Sequence, residues 1–129
     1  MNNFEFSKNS LEKLDTVHPD LRRVVELALE RTPDDFAVIC GHRGKAAQEK
    51  AFADGFSKVQ YPNSKHNSKP SLAVDLAPLT SGKIDWGATG LFIGLSYTMK
   101  SAAEELGIDI VWGGDWESLR DFPHYELKS

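Results

Sequence analysis

The chain has a single cysteine, Cys40, among its 129 residues. An intramolecular disulfide is therefore impossible, which excludes the stapled scaffolds of small secreted domains. No apolar run approaches the length needed to cross a bilayer, so membrane insertion is not expected. The opening "MNNFEFSKNS" is polar and lacks the apolar stretch of a secretory leader, which points to folding in a cytoplasm without a signal peptide. Positive charge is not in excess: 15 Lys and Arg against 19 Asp and Glu leave a net charge of −4. Nucleic acid is not expected as a main partner, because binding phosphates calls for a basic face. HExxH, CxxC, P-loop and GxSxG patterns are all missing, so the most direct motif readings do not apply.

What is present suffices for one domain, residues 1–129. An apolar content of 40% and a charged content of 26% are ordinary for a globular protein of this length. "SLEKLDTV" from Ser10 reads as a short helix. "HPDLRRVVELALERT" reads as a longer one, with Pro19 in its first turn and Leu21, Val24, Val25 and Leu29 at helical spacing. "FAVICG" is expected as a buried strand, and "GKAAQEKAFADG" as a helix ending at Gly55. Residues 56–71 are rich in polar residues and proline and read as a loop. "SLAVDLAP" follows as a strand, with Leu72, Val74 and Leu76 on one face and Ala73, Asp75 and Ala77 on the other. Residues 80–87 read as a turn and "ATGLFIGLSYTMKSAAEELG" as a long helix stopped by Gly107. "IDIVW" and "PHYEL" are expected strands flanking the loop "GGDWESLRD". Helices and short strands alternate irregularly, which favours α+β over a doubly wound sheet.

His66, Asp75 and His124 are nitrogen and oxygen donors suited to zinc, and three protein ligands with one open position describe a catalytic zinc site. Ala73 and Ala77 leave room above Asp75, and a metal would justify a carboxylate there, since an unpaired buried charge is costly. Asp121, three residues before His124, could take a proton from an attacking water. Arg43, just after the "FAVICG" strand, could stabilise an oxyanion. Each residue also has a plainer reading: a solvated loop histidine, a capping or salt-bridging aspartate, a packed edge-strand histidine, a surface arginine. His42 is the rival ligand. His18, before Pro19, reads as structural, and Cys40 as an inert core residue.

Three blocks in order carry a resemblance. "SKHNSKPSLAVD" resembles the S-x-H-x-x-G-x-A-x-D motif of the zinc peptidase family that includes the VanY-like D-alanyl-D-alanine carboxypeptidases, the D-alanyl-D-alanine dipeptidases and the phage L-alanyl-D-glutamate endolysins. "VWGGDWESLRDFPHYEL" resembles the family's C-terminal signature. "ICGHRGKAAQEKAFADG" resembles its strand–turn–helix segment, with an arginine after the strand and a glutamine in the helix. The resemblance implies a small antiparallel sheet with helices packed on one side, of the Hedgehog/DD-peptidase type. It implies Zn²⁺ on His66, Asp75 and His124, Asp121 as general base, and Arg43 beside the substrate carbonyl. Ser64 would support the metal site through a hydrogen bond, Gln48 would be the helix-borne glutamine, and Trp112 would be a pocket wall. Aspartate rather than glutamate at position 121 is more like the endolysin branch. The sequence departs from the motif where Ser71 replaces the glycine. Asp75 also follows His66 by nine positions, two more than in the motif, so "NSKPS" reads as an enlarged rim loop.

The expected activity is zinc-dependent hydrolysis of the L-alanyl-D-glutamate bond in peptidoglycan stem peptides, by a monomeric phage endolysin that reaches the cell wall after release from the host cytoplasm. A D-alanyl-D-alanine carboxypeptidase or dipeptidase shares the metal chemistry and is the first alternative. A non-catalytic zinc-containing binding domain is the alternative of another class.

Overall fold

The computed structural model describes residues 2–118 and 120–128. Four α-helices and five strands follow in the order α1 (Lys8–Leu14), α2 (Pro19–Arg31), β1 (Phe36–Cys40), α3 (Lys45–Ala53), β2 (Ala73–Thr80), β3 (Lys83–Ile84), α4 (Thr89–Leu106), β4 (Ile110–Trp112) and β5 (His124–Leu127). The chain is thus α+β, as its pattern of elements suggests.

Local chemistry accounts for most element ends. Ser7, not Ser10, caps α1 by accepting from the Ser10 amide, and Ser10 is left free to accept from Val38 N–H in β1. Pro19 occupies the first turn of α2, where its missing N–H costs nothing, and His18 caps that helix through Nδ1. His18 is therefore structural. Gly107, at φ 68°, closes α4 in the left-handed conformation. The expected turn at 80–87 contains β3. Ser81 and Gly82 both take positive φ (51° and 78°), which suits the tight hairpin joining β2 to β3.

The sheet order is β1-β2-β5-β4, all antiparallel, with β3 paired to β2. β1 lies at the edge of the sheet, and its Phe36 and Val38 are buried in the core. The Val74–Leu76 face of β2 packs against α4, α4 packs against α2, and Leu21, Val25, Leu95, Met99 and Tyr125 join that face in one core. Each such large apolar side chain contributes roughly 1.5–3 kcal/mol when fully buried. In α3 the only buried residue is Gln48, so this helix serves the opposite side of the molecule.

Register decides what lies on that opposite side. Asp75 of β2 stands opposite Cys40 of β1 and opposite His124 of β5. Directly opposed residues project to the same side of a sheet. A bulge between Val38 and Cys40 lets β1 skip Ile39, and this brings Cys40, rather than its neighbour, into line with Asp75. Cys40, Asp75 and His124 thus form one row across three strands.

Candidate metal centre

His66 joins this row from outside the sheet. It lies in the 3₁₀ turn Lys65–Asn67 and is 1% exposed, so it is not a solvated loop residue. Ser64 caps the turn by accepting from the His66 amide, and Asn67 Oδ1 accepts from Ser64 N–H in return. Ser64 therefore acts on the histidine's backbone rather than on its ring. Behind the turn, the enlarged 67–71 loop is pinned: His42 Nδ1 meets Ser68 O at 3.0 Å, and Ser71 N–H donates to Thr16 O at 2.8 Å. His42 is thereby occupied on the rim, and it joins no metal-type cluster among the described residues.

Asp75 Oδ1 lies 3.2 Å from His66 Nε2 and 3.3 Å from His124 Nδ1. Each ring has its far nitrogen held: His66 Nδ1 lies 2.8 Å from Gly41 O, and His124 Nε2 lies 2.8 Å from Glu126 Oε1. A carbonyl or carboxylate on the far nitrogen fixes an imidazole's tautomer and leaves the near nitrogen free to bind a cation. Among the described residues, two donor groups have their ligand atoms within 4.8 Å of one another: Asp75, Asp121 and His124, and Cys40, His66 and Asp75. Asp75 is common to both. Two imidazoles with fixed tautomers and one carboxylate suit zinc, and Asp121 lies alongside. The donor set fits the metal.

Charge in the cluster is tightly linked. Burial alone would raise Asp75, but hydrogen bonds from His124 and His66 outweigh it and hold the carboxyl well below the usual carboxylate range. Burial likewise lowers His66, yet its bonds to Asp75 and Cys40 prevail and raise it to about 10. His124 is raised in the same way, against burial, by Asp75 and then Glu126. Asp121 is raised by burial and by the charge of Asp75, which makes it a stronger base than a free carboxylate.

Arg43 reaches the cluster with one guanidinium nitrogen 3.6 Å from Asp75 Oδ2. Gln48, 0% exposed, accepts from Arg43 at 3.0 Å and from Asn67 Nδ2 at 3.2 Å, and donates to Ser57 Oγ and Val59 O. Both donors and both lone pairs of its amide are used, so Gln48 ties α3, the arginine and the 57–59 loop together.

Trp112 is placed elsewhere. It shares a row with Tyr125 and Val74 and therefore points into the core, away from Asp75. Its indole N–H donates to Phe122 O at 2.8 Å, which steadies the turn that carries Asp121. The aromatic beside the donors is Trp116, whose ring centroid is 5.2 Å from that of His124. Cys40 is half-buried on the cluster, not inert in the core, because of the bulge in β1. Glu126 and Lys65 are further members that motif reading did not single out. Glu126 follows His124 by two on the same strand, a spacing that returns a side chain to the same face. Of the "GGDWESLRD" loop, Leu119 lies outside the described residues.

Fold and site together define a small α+β domain built around a His/Asp/His donor cluster with a neighbouring acid. The profile of phage L-alanyl-D-glutamate peptidases matches residues 2–128, and the chain belongs to that family. It is 39% identical over 126 residues to the L-alanyl-D-glutamate peptidase of Escherichia phage T5, covering 97% of this chain and 90% of that one. The crystal structure of the Serratia marcescens L-Ala D-Glu endopeptidase ChiX superposes with a TM-score of 0.84 at 33% identity, covering 98% of this chain and 92% of that one. The vancomycin resistance D,D-dipeptidase VanXYg, solved with a D-Ala-D-Ala phosphinate analog, matches with a TM-score of 0.55 at 19% identity over 86% of this chain and 50% of that one, a likeness of fold alone.

Proposed function

We propose that this chain is a zinc-dependent endopeptidase that hydrolyses the L-alanyl-D-glutamate bond of peptidoglycan stem peptides. One observation carries the reading: Asp75 is gripped by two imidazoles with fixed tautomers, with a base-strengthened Asp121 at the same cluster. The names of its relatives add the substrate class.

His66, Asp75 and His124 would hold the zinc. When bound, the metal would polarise the scissile carbonyl and lower the pKa of water toward about 7. Asp121 accepts the proton of the attacking water as its oxygen adds to the L-alanyl carbonyl carbon. The same carboxyl returns a proton to the departing D-glutamyl nitrogen, so that a carboxylate and a free amine leave. Arg43 donates to the carbonyl oxygen as negative charge builds there, and Gln48 keeps its guanidinium aimed. Residues 1–129 are read as one catalytic domain, acting as a monomer on the cell wall. No helix among the described residues is long and apolar enough to cross a membrane.

Digestion of defined muropeptides, with metal content measured on the same sample, tests the reading. New L-alanine C-termini and D-glutamate N-termini are expected by mass spectrometry. Release of free D-alanine from otherwise intact stems would transfer the chain to the D-alanyl-D-alanine peptidases.

A further inference from the structure

Behind His124 the structure holds a second, half-buried polar layer. Glu126 Oε1 accepts from His124 Nε2–H at 2.8 Å, and Glu126 Oε2 lies 2.9 Å from Lys65 Nζ. The Lys65 ammonium also donates to Leu127 O. Lys65 and Glu126 side chains are only 25% and 18% exposed. Lys65 immediately precedes His66, so the pair joins the turn carrying one donor to the strand carrying the other.

We propose that Glu126 and Lys65 are positioning residues for the metal centre, a proposal that rests on zinc being held by His66, Asp75 and His124. Glu126 accepts the Nε2 proton of His124, which leaves the Nδ1 lone pair facing Asp75 and the metal. A carboxylate on the far side of a ligating imidazole fixes both its tautomer and its ring angle. Lys65 holds Glu126 in place, compensates its half-buried charge and ties β5 to the 65–67 turn. Without Glu126, the His124 ring is free to rotate or to take the other tautomer, and the metal would lose a preset ligand.

The test is Zn²⁺ affinity of the purified full chain, measured by competition with a chromophoric chelator, for wild type, Glu126→Ala, Glu126→Gln, Lys65→Met and His124→Ala. Nitrogen-15 NMR of the histidine rings in the zinc-loaded proteins is recorded alongside. Wild type is expected to bind one zinc and to show a His124 Nε2 proton protected from exchange. Glu126→Ala should bind about 10- to 100-fold more weakly and lose that protection. Glu126→Gln, whose amide oxygen still accepts, should recover most of both. Lys65→Met should fall between them. A Glu126→Ala protein with wild-type zinc affinity and a still-protected Nε2 proton overturns the positioning role and leaves the zinc reading standing. A wild type that takes up no zinc, or a His124→Ala variant that binds as tightly as wild type, overturns the ligand set and the positioning role with it. Circular dichroism on each variant separates loss of fold from loss of the site, and Glu126→Gln carries the test if Glu126→Ala does not fold.

Discussion

At the scale of single residues, Asp121 has the property that proton transfer needs. Burial and the charge of Asp75 raise its affinity for a proton. Asp121→Ala is expected to keep zinc but to lower the rate of muropeptide cleavage by about 100- to 10,000-fold. A variant lysing walls at near wild-type rate would remove Asp121 as the base. His66 predicts how acidity acts on the chelated protein. Its proton affinity is raised from 6.5 to about 10 on folding, so its contribution to stability is complete below pH 6.5 and is lost as pH rises toward about 10. Asp75 is shifted down, so its contribution is present above the ordinary carboxylate range and is lost as pH falls through its lowered value. In chelator, Tm should therefore decline between pH 6.5 and 10, and His66→Gln should flatten that decline. A Tm that rises across this window in wild type contradicts the assignment. Tyr125 is a different case: its hydroxyl is buried without a hydrogen-bond partner among the described residues, and burial raises its pKa. Tyr125→Phe is expected to match wild-type stability or exceed it by up to about 1 kcal/mol, read from the urea midpoint.

At the scale of elements, two close approaches set the site. Gly41 supplies the carbonyl that holds His66, and a Cβ there would stand 2.3 Å from Thr16 Oγ1 and 2.4 Å from Lys13 O. Gly113 lies against the turn bearing Asp121, the proposed base, where a Cβ would stand 2.3 Å from Asp121 O. That turn is fixed by Asp121 N–H donating to Gly113 O at 3.0 Å and by His124 N–H donating to Asp121 O at 3.1 Å. Gly113→Ala must therefore shift the Asp121 turn, and it presses less closely on His124, whose Cβ would stand 3.1 Å away. Overpacking of this kind costs about 1–3 kcal/mol. The expected result is a lower urea midpoint together with a loss of cleavage rate larger than the loss of zinc affinity, because the base moves more than the ligands. Equal losses in both would show that the ligand set moved with it.

At the scale of the whole molecule, core and site occupy opposite faces of one sheet. The apolar cluster around Leu21, Leu76, Met99 and Tyr125 is built without His66, Asp75 or His124, the proposed metal donors. Removing zinc should therefore abolish activity and leave a cooperatively folded chain, with stability reduced only by the binding free energy of the ion. The check is far-UV circular dichroism and thermal melting before and after chelation, with activity restored by added Zn²⁺. Collapse of the fold on chelation would instead mark the metal as structural.

The helices were legible in the sequence because their signals are local: Pro19, the Leu21–Leu29 spacing and Gly107 act within a few residues of themselves. The strand at 71–78 was legible from its alternation, two residues ahead of the observed Ala73–Thr80, and with it the placing of Asp75 beside Ala73 and Ala77. β3 was hidden in a two-residue pairing too short to carry a period. The motif blocks pointed to His66, Asp75, Asp121, His124 and Arg43 as candidates, and the fold brings these five to one place. What only tertiary structure decided is which neighbours share a face. A bulge in β1 turned Cys40 toward the donors, strand parity turned Trp112 away and left Trp116 beside His124, and pairing of β5 with β2 put Glu126 behind the imidazole and in reach of Lys65. The physical reason is that side-chain direction in a sheet flips with every residue of register, and register is fixed only when strands distant in sequence pair.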